Sequence, residues 1–400
     1  MGFPLIQGHA MPAPDPEPRK PRGFHDSARG LGAFPWGFLG AIGLIVVVEL
    51  TMGTWANRSG PSSQLALSWS SACRAAGEPE ARAEVVCFGD SLAKLAIVPR
   101  VLEHELGLSA YNLSVLAGQA PGSFMLLKRL LESGHRPRAI LVDFACPLLS
   151  VPPGRNLDCW AEIADGGDCL DLVVRGGEPW LAAEITARTI LPSWRVRAGF
   201  RTRLGLEPVR VPGPEGAILT RNWLVNQGAQ VAPKAFLPVA GALPEPYTGG
   251  SWAWRPDPTN ERYVDAFLGL AESRGIPVFW LIPPSRRERI ERLGPAGVAA
   301  AHARFVAQRL ARFPGLTVLD GQRLRWDDWG FRDPTHLNRD GAIAFSLAVA
   351  RAIQALIPNH HGPRSVDLAQ TQARRTPGLE SLVEDLDQSR AILADGGPRD

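Results

Sequence analysis

A serine, a histidine and an aspartate in this chain have the types and the spacing of a serine-based acyl-transfer centre. Ser91 lies in a Gly-Asp-Ser-Leu motif directly after the apolar run Val85–Phe88, and far downstream His336 follows Asp333 by three residues. A serine hydroxyl becomes a nucleophile when an imidazole takes its proton, and a carboxylate orients that imidazole. Either motif alone is common, but the two together predict acyl chemistry.

These motifs fall within a pattern of alternating strands and helices. The pattern predicts strands at Val85–Phe88, Tyr111–Val115, Ala139–Phe144, Pro277–Ile282 and Leu316–Leu319, and helices at Pro99–Leu106, Pro121–Ser133, Glu261–Ser273 and Val298–Phe313. Such alternation indicates a parallel sheet, whose active site lies at the carboxyl ends of its strands. We therefore expect Ser91 at a strand end, and Asn338 as the N-cap of a buried helix over the apolar run 341–357.

Between the third and fourth predicted strands the pattern breaks down over residues 150–255. We interpret this stretch as an insertion that folds over the edge of the sheet, with one helix at Pro179–Ile190. Tryptophans are frequent in it, and they predict either a wall on which sugars stack or simply core side chains: Trp160, Trp180, Trp194, Trp223, Trp252 and Trp254. Two of the five cysteines, Cys159 and Cys169, are expected to form a disulfide if this region is exported.

The amino-terminal region predicts a membrane anchor. Residues 1–33 have the composition of a disordered tail, and residues 34–56 form an apolar stretch of about 20 residues, enough to cross a bilayer, interrupted only by Glu49. Four basic residues precede it, Arg19, Lys20, Arg22 and Arg29. They predict a single-pass anchor with a cytoplasmic amino terminus and an extracytoplasmic domain. Residues 359–400 are polar and are expected to form a second disordered tail, with one short helix near Leu379–Leu393.

The charge balance and the cysteine spacing give no indication of a nucleic-acid or metal partner. The chain has 43 Lys and Arg against 40 Asp and Glu, a net charge of +3, which gives no indication of nucleic-acid binding. The cysteines have no metal-ligand spacing, and no metal or organic cofactor is implied. His104, His135 and His302 lie on predicted helices or turns without evident partners, and we assign them to the surface.

The motifs around Ser91, the Tyr111–Leu113 segment leading to Gly118, and the Asp333–Asn338 segment resemble those of the SGNH/GDSL hydrolase superfamily. The resemblance covers roughly residues 84–357 and implies a flavodoxin-like three-layer α/β/α domain over residues 80–358. A membrane anchor followed by such a domain is similar to the extracytoplasmic proteins that O-acetylate alginate and other envelope polymers. The implied function is that of a serine esterase acting on O-acyl, expected to be acetyl, esters of carbohydrate. The alternatives are a polysaccharide O-acetyltransferase and a non-catalytic polysaccharide-binding module.

The resemblance implies a role for each motif residue. Ser91 is the nucleophile, His336 the general base and Asp333 the residue that orients the imidazole, while the N–H groups of Ser91 and Gly118 stabilise the oxyanion. Asp90 is interpreted as structural, bonded within its own loop.

In one position the chain departs from the superfamily. The family usually provides an asparagine after the third strand as a further oxyanion donor, but Asp143 stands in that region. Asn156 or Asn222 of the insertion can substitute, and the sequence selects neither.

Ser91 and Lys94 also match a second nucleophile motif. They form a Ser-x-x-Lys sequence, which on a helix places the lysine one turn from the serine and makes it a candidate base. The partner motifs of the penicillin-binding proteins, Ser-Asp-Asn and Lys-Thr-Gly, are absent from the chain. This alternative also leaves His336 unexplained.

Overall fold

The computed structural model describes residues 36–59, 61, 63–78, 81–194, 214–235, 254–286, 297–324, 326, 328–357, 364–371 and 378–396. The chain divides into two compact units, Met1–Val46 and Val47–Asp400. The second unit holds the whole sheet described below. In the first, residues 36–46 begin one long helix.

A single sheet of parallel strands forms the centre of the second unit. Its strands are β1 Val85–Phe88, β2 Ala110–Asn112, β3 Ala139–Val142, β4 Val278–Ile282, β5 Leu316–Asp320 and β6 Ser365–Asp367. Their spatial order is β2-β1-β3-β4-β5-β6, and every pairing is parallel. The first five strands have the flavodoxin-like order, so the predicted fold is confirmed.

The central strands are buried on both faces because their side chains alternate between two apolar clusters. In β1, Val86 and Phe88 join one cluster, whereas Val85 and Cys87 join the other. β3 and β4 alternate in the same way. A sheet that is apolar on both faces has to be covered by helices on both faces, which gives three layers.

The helices of the described residues are numbered in chain order. They are α1 Trp36–Ser59, α2 Gln64–Gly77, α3 Ser91–Ala96, α4 Pro99–Leu106, α5 Ala120–Glu132, α6 Cys146–Leu149, α7 Leu157–Trp160, α8 Gly166–Val174, α9 Pro179–Ile190, α10 Pro214–Val225, α11 Pro258–Ser273, α12 Val298–Arg312, α13 Arg339–Gln354 and α14 Leu386–Ala394. On one face of the sheet α2, α5, α11 and α12 contribute to the apolar cluster. On the other face α4 and α13 do so.

Local sequence signals set the ends of the helices beside the site. Pro121 lies in the first turn of α5, where a backbone N–H is not needed, and Gly134 with φ +82° follows its end. The Asn338 side chain accepts the Gly341 N–H at 2.9 Å, so the predicted N-cap of α13 is confirmed.

α1 is long and apolar enough to cross a membrane. Its segment Trp36–Thr54 has a mean hydropathy of 1.8, and none of it is buried within the protein. These bounds agree with the predicted apolar stretch at 34–56. The predicted tail at 1–33 lies outside the described residues.

The insertion covers two different parts of the domain. Its first part packs on the helical layer, where Lys128 of α5 pairs with Asp168 at 3.0 Å and Tyr263 of α11 donates to Asp171 at 2.9 Å. Its second part runs along the outer side of β2, where the Asn112 N–H donates to the Gln227 carbonyl at 2.9 Å. The predicted covering of the sheet edge therefore holds for the second part only.

The tryptophans of the insertion do not form the predicted sugar-stacking wall. Trp160, Trp223 and Trp254 are buried, Trp194 is half-buried, Trp180 is 84% exposed, and Trp252 lies outside the described residues. The buried indoles find their hydrogen-bond partners inside the protein, since Trp160 donates to the Pro153 carbonyl and Trp254 to the Cys146 carbonyl. The alternative interpretation, core side chains, is confirmed for these three.

The expected disulfide between Cys159 and Cys169 is not formed. All five cysteines are reduced, and these two lie buried in the apolar cluster. They belong to separate helices, α7 and α8, and burial raises the pKa of the Cys169 thiol. Both therefore serve as buried side chains of the apolar core.

The prediction of a disordered tail over 359–400 is wrong for its described residues, whereas the short helix expected near Leu379–Leu393 is present as α14 Leu386–Ala394. β6 adds a strand beside β5, and α14 begins with a capping box formed by Asp385 and Gln388. The segment is anchored on α10, where Arg221 pairs with Glu384 at 2.8 Å. The sequence did not indicate this ordered structure, because the polar groups of the segment bind residues that are distant in sequence.

Asn222 of α10 should be essential to the docking of this segment. Its amide donates to the Glu384 carbonyl at 2.8 Å and to Ser389 at 3.2 Å, and its oxygen accepts the Val231 N–H at 2.9 Å. Asn222→Ala leaves buried polar groups without partners, so we expect the free energy of unfolding to fall by about 2–4 kcal/mol.

Urea unfolding of the full chain in detergent measures this loss. Arg390→Ala is the matched control, since that arginine forms only exposed ion pairs and should change the free energy of unfolding by less than about 0.5 kcal/mol. Equal midpoints for the parent and Asn222→Ala would show that the C-terminal segment is not held in this way.

Candidate active site

Ser91 is the first residue of α3, reached from β1 through a tight turn. Gly89 in that turn has φ +134°, and a Cβ added there would lie 2.6 Å from the Asp143 carbonyl oxygen, so only glycine fits. The Asp90 side chain accepts the Leu92 N–H at 2.6 Å and caps α3, which confirms its predicted structural role. Strand and cap together place Ser91 at the carboxyl edge of the sheet.

His336 reaches Ser91 from the loop that precedes α13. A bridge between Phe331 and Leu337 closes this loop. His336 Nε2 lies 2.9 Å from Ser91 Oγ, and His336 Nδ1 lies 2.9 Å from Asp333 Oδ2 and 3.1 Å from Oδ1. The three residues singled out in the sequence are therefore joined in one hydrogen-bonded row.

A buried serine that has no sequence motif fixes the two halves of this row. Ser346 Oγ accepts the Val98 N–H at 2.8 Å and donates to the Ala96 carbonyl at 3.1 Å. Ala96 ends the helix that begins with Ser91, and Ser346 lies on the helix that follows His336. One hydroxyl thus ties α3 to α13, and sequence analysis missed it because a serine inside an apolar helix carries no signal.

The environment of Asp333 keeps its carboxylate ionised. Burial alone would raise the pKa of Asp333, but hydrogen bonds from the His336 ring and from the N–H groups of Thr335 and His336 outweigh burial and lower this pKa to about 2. A carboxylate at Nδ1 favours the tautomer that carries its proton there. Nε2 is then the acceptor for the Ser91 hydroxyl.

Gly118 lies against the turn that precedes Ser91, but its N–H is engaged. A Cβ added to Gly118 would lie 2.5 Å from the Gly89 carbonyl oxygen, so the two glycines are in close contact. The Gly118 N–H donates to the Val115 carbonyl at 3.1 Å. To serve as an oxyanion donor it has to exchange that bond for one to the substrate. The Ser91 N–H, in the first turn of α3, has no partner within the helix.

Of the two asparagines weighed as a further donor, only Asn156 lies near the site. Its amide donates to the Ala117 carbonyl at 3.2 Å, next to Gly118. Asn222 is buried and bound to Glu384 and Ser389 of the C-terminal segment, so it is excluded as a donor in this arrangement.

Lys94 is directed away from Ser91. Its Nζ donates to the Ser114 carbonyl at 3.1 Å and to the Gly228 carbonyl at 3.0 Å, and it lies 4.5 Å from the centre of the Trp223 ring. It lines a cavity of about 700 Å³ between α2, β2 and α10. The Ser-x-x-Lys interpretation is therefore wrong, since this geometry gives the lysine no contact with the serine.

The surface assignment of His302 is wrong, because its ring is half-buried beside the site. It packs edge-on to Trp254 with ring centres 5.4 Å apart, and burial lowers the pKa of His302 to about 4. It lines a cavity of about 60 Å³ at the carboxyl ends of β3 and β4, whose wall includes Leu92, the residue after Ser91. Among the described residues no group of three or more His, Cys, Asp or Glu is arranged to hold a metal ion.

Stability at acid pH should depend on Asp333. Its pKa of about 2 in the folded chain lies below the ordinary 3.8. The ionised carboxylate therefore stabilises the fold above about pH 4, and this contribution is lost as the pH falls towards 2. Asp333→Asn should be less stable than the parent at neutral pH and lose less stability across that window.

Thermal unfolding between about pH 2 and pH 6 tests this expectation. Asp387→Asn, which removes the same charge at an exposed ion pair, serves as the control and should follow the parent. Parallel profiles for the parent and Asp333→Asn would contradict the lowered pKa.

The contact of Gly118 with Gly89 leaves no room for a methyl group. Gly118→Ala should push the loop away from Ser91, and a displacement of about 1 Å at a reacting centre can cost about 100-fold in rate. Ala117→Gly is the matched variant, because Ala117 has φ +53° and glycine relieves that strain. Fluorophosphonate labelling should be slowed in Gly118→Ala and kept in Ala117→Gly, whereas equal labelling of both would show that the loop does not shape the site.

No known protein-family model matches this chain. No curated protein sequence matches it either.

Proposed function

We propose that this protein is a membrane-anchored serine esterase that acts on O-acyl esters, acetyl groups of carbohydrate in particular, through an acyl-serine. The observation that carries the proposal is the hydrogen-bonded row of Ser91, His336 and Asp333 at the carboxyl edge of a parallel sheet. A serine, a base at 2.9 Å and a third group orienting that base are the parts of an activated nucleophile.

In the first step Ser91 Oγ attacks the ester carbonyl while its proton passes to His336 Nε2. Asp333, ionised and bonded to Nδ1, stabilises the imidazolium that forms. The Ser91 N–H, with Gly118 after exchange of its bond to Val115, stabilises the oxyanion. The intermediate collapses to the acyl-serine when His336 returns the proton to the leaving alcohol.

In the second step a hydroxyl compound takes up the acyl group. His336 takes the proton of the attacking hydroxyl and returns it to Ser91 Oγ, which leaves. Water as the attacking compound gives acetate, whereas a sugar hydroxyl gives a new ester, so hydrolysis and O-acetyl transfer share the acyl-serine. Transfer is the second candidate function. The resemblance to extracytoplasmic proteins that O-acetylate envelope polymers supports it. The lack of the superfamily's asparagine near Asp143 weakens the case for efficient broad hydrolysis, because the loss of one oxyanion donor can cost about 10²–10³ in rate.

We also propose that α1 anchors the chain as a single span, with the catalytic domain extracytoplasmic. The length and hydropathy of α1 support the span. The four basic residues before it support a cytoplasmic amino terminus through the positive-inside rule.

The test is acetyl-ester turnover by the full chain in detergent, compared with Ser91→Ala and His336→Ala. Both variants should lose about 10³-fold or more of the parent's rate, because each removes a member of the row. Ser273→Ala, which changes an exposed serine at the end of α11, is the control and should keep the parent's rate.

Fluorophosphonate labelling and added sugar acceptors then separate the candidates. Labelling of the parent but not of Ser91→Ala supports the acyl-serine, and acetylated sugar in place of acetate supports transfer. A parent that neither turns over esters nor is labelled contradicts the enzymatic proposal and favours a polysaccharide-binding module.

A further inference from the structure

The hairpin formed by α8 and α9 exposes large apolar side chains on its outer side. In α8, Leu170 and Val174 are 64% and 78% exposed, and in α9, Trp180 and Ile190 are 84% and 68% exposed. Side chains of this size stay exposed in a soluble domain singly, not as a group on two neighbouring helices. Exposure of this apolar surface to water is therefore unfavourable.

The exposed residues of α9 are uncharged, and Glu184, whose side chain is 43% exposed, is paired with Arg188 at 3.7 Å within the same helix. Its exposed residues are Pro179, Trp180, Ala183, Thr186, Thr189 and Ile190. The two threonine hydroxyls are satisfied within the helix, Thr186 by the Ala182 carbonyl at 2.8 Å and Thr189 by the Ile185 carbonyl at 3.0 Å. Hydroxyls bonded to the preceding turn do not need water, so this side of α9 is suited to an apolar surrounding.

The hairpin is joined to the apolar helix α1. Directly after α9, Ser193 donates its N–H and its hydroxyl to the Glu49 carboxylate, the N–H at 2.9 Å. A Cβ added to Gly53 would lie 3.3 Å from the Pro192 ring, so the helix and the turn pack closely. Glu49, which interrupts the apolar stretch of the sequence, is thus the acceptor that holds the turn.

The turn after α9 contacts α1 close to the end of its apolar segment. Glu49 lies five residues before Thr54, the end of the apolar segment Trp36–Thr54. At 1.5 Å per residue this distance is about 7–8 Å. An amphipathic helix that lies in a membrane interface buries its apolar face by about 5–10 Å, which is the same depth.

We propose that the α8–α9 hairpin is a second membrane contact, its outer side lying in the interface of the lipid bilayer at the end where α1 leaves it. The proposal rests on the proposed role of α1 as a membrane span. α8 is tied to the catalytic domain through Asp168 and Lys128 and through Asp171 and Tyr263. Two contacts, the span and the hairpin, therefore hold the domain in one orientation on the membrane, where a single span would leave it free to rotate.

The test uses the full chain in liposomes of phosphatidylcholine and phosphatidylglycerol, with a nitroxide label on single introduced cysteines. The hairpin positions are Val174→Cys, Trp180→Cys and Ile190→Cys. Leu50→Cys reports on α1, and Leu224→Cys, a leucine of α10 that is 55% exposed, is the matched control. The parent labelled in the same way gives the background of the native cysteines, and exposed positions are chosen so that the core is not disturbed.

Collisions of the label with oxygen and with a water-soluble nickel chelate measure its surroundings. We expect the three hairpin labels and Leu50→Cys to meet the chelate several-fold less often than Leu224→Cys and to meet oxygen more often. Hairpin labels that behave like Leu224→Cys, while Leu50→Cys is shielded, would overturn the proposal and leave the anchor intact. A Leu50→Cys label fully accessible to the chelate would overturn the anchor as well.

Discussion

The hydrogen bond between Ser91 and His336 joins two loops that are 245 residues apart in the chain. Such a bond requires that both loops be held to within a fraction of an ångström, which neither loop can do alone. The parallel sheet brings Ser91 to its carboxyl edge, and α13 brings the loop of His336 to the same place. The buried Ser346 hydroxyl, bound to Ala96 and Val98, then fixes the two helices against each other. The position of Ser91 relative to His336 therefore depends on these contacts.

The insertion and the C-terminal segment are connected to the same short helix. Lys94, one turn after Ser91, donates to the Gly228 carbonyl, and the Gln230 N–H donates back to the Lys94 carbonyl at 2.9 Å. The insertion in turn holds the C-terminal segment, since the Leu386 N–H donates to the Val231 carbonyl at 3.1 Å. Burial lowers the pKa of Lys94 to about 7, and the carbonyl groups around it provide partners for its ammonium. Lys94, which the sequence offered as a candidate base, therefore connects α3 to the insertion and, through the insertion, to the C-terminal segment.

The sequence predicted those features of the structure that are determined by a local pattern of residues. The buried strands, the position of Ser91 at a strand end, the cap at Asn338 and the spacing of Asp333 and His336 all depend on a few neighbouring residues, and they were predicted. The burial of Trp160 and the order of the C-terminal segment depend on partners far away in the chain. β6 shows why: Ser365–Asp367 is polar, only three residues long, and becomes a strand only because β5 offers it an edge.

The two flanks of the sheet are closed by polypeptide from outside the central fold. On one side the Gln227 carbonyl occupies the Asn112 N–H of β2, and on the other β6 pairs with β5. An uncovered strand offers a row of hydrogen-bonding groups to any other extended chain, and short or covered edges remove that template. β6 is itself an edge strand, but it has only three residues, and its Asp367 is paired with Arg323. The same segments that look like additions to the domain thus protect it from edge-to-edge aggregation.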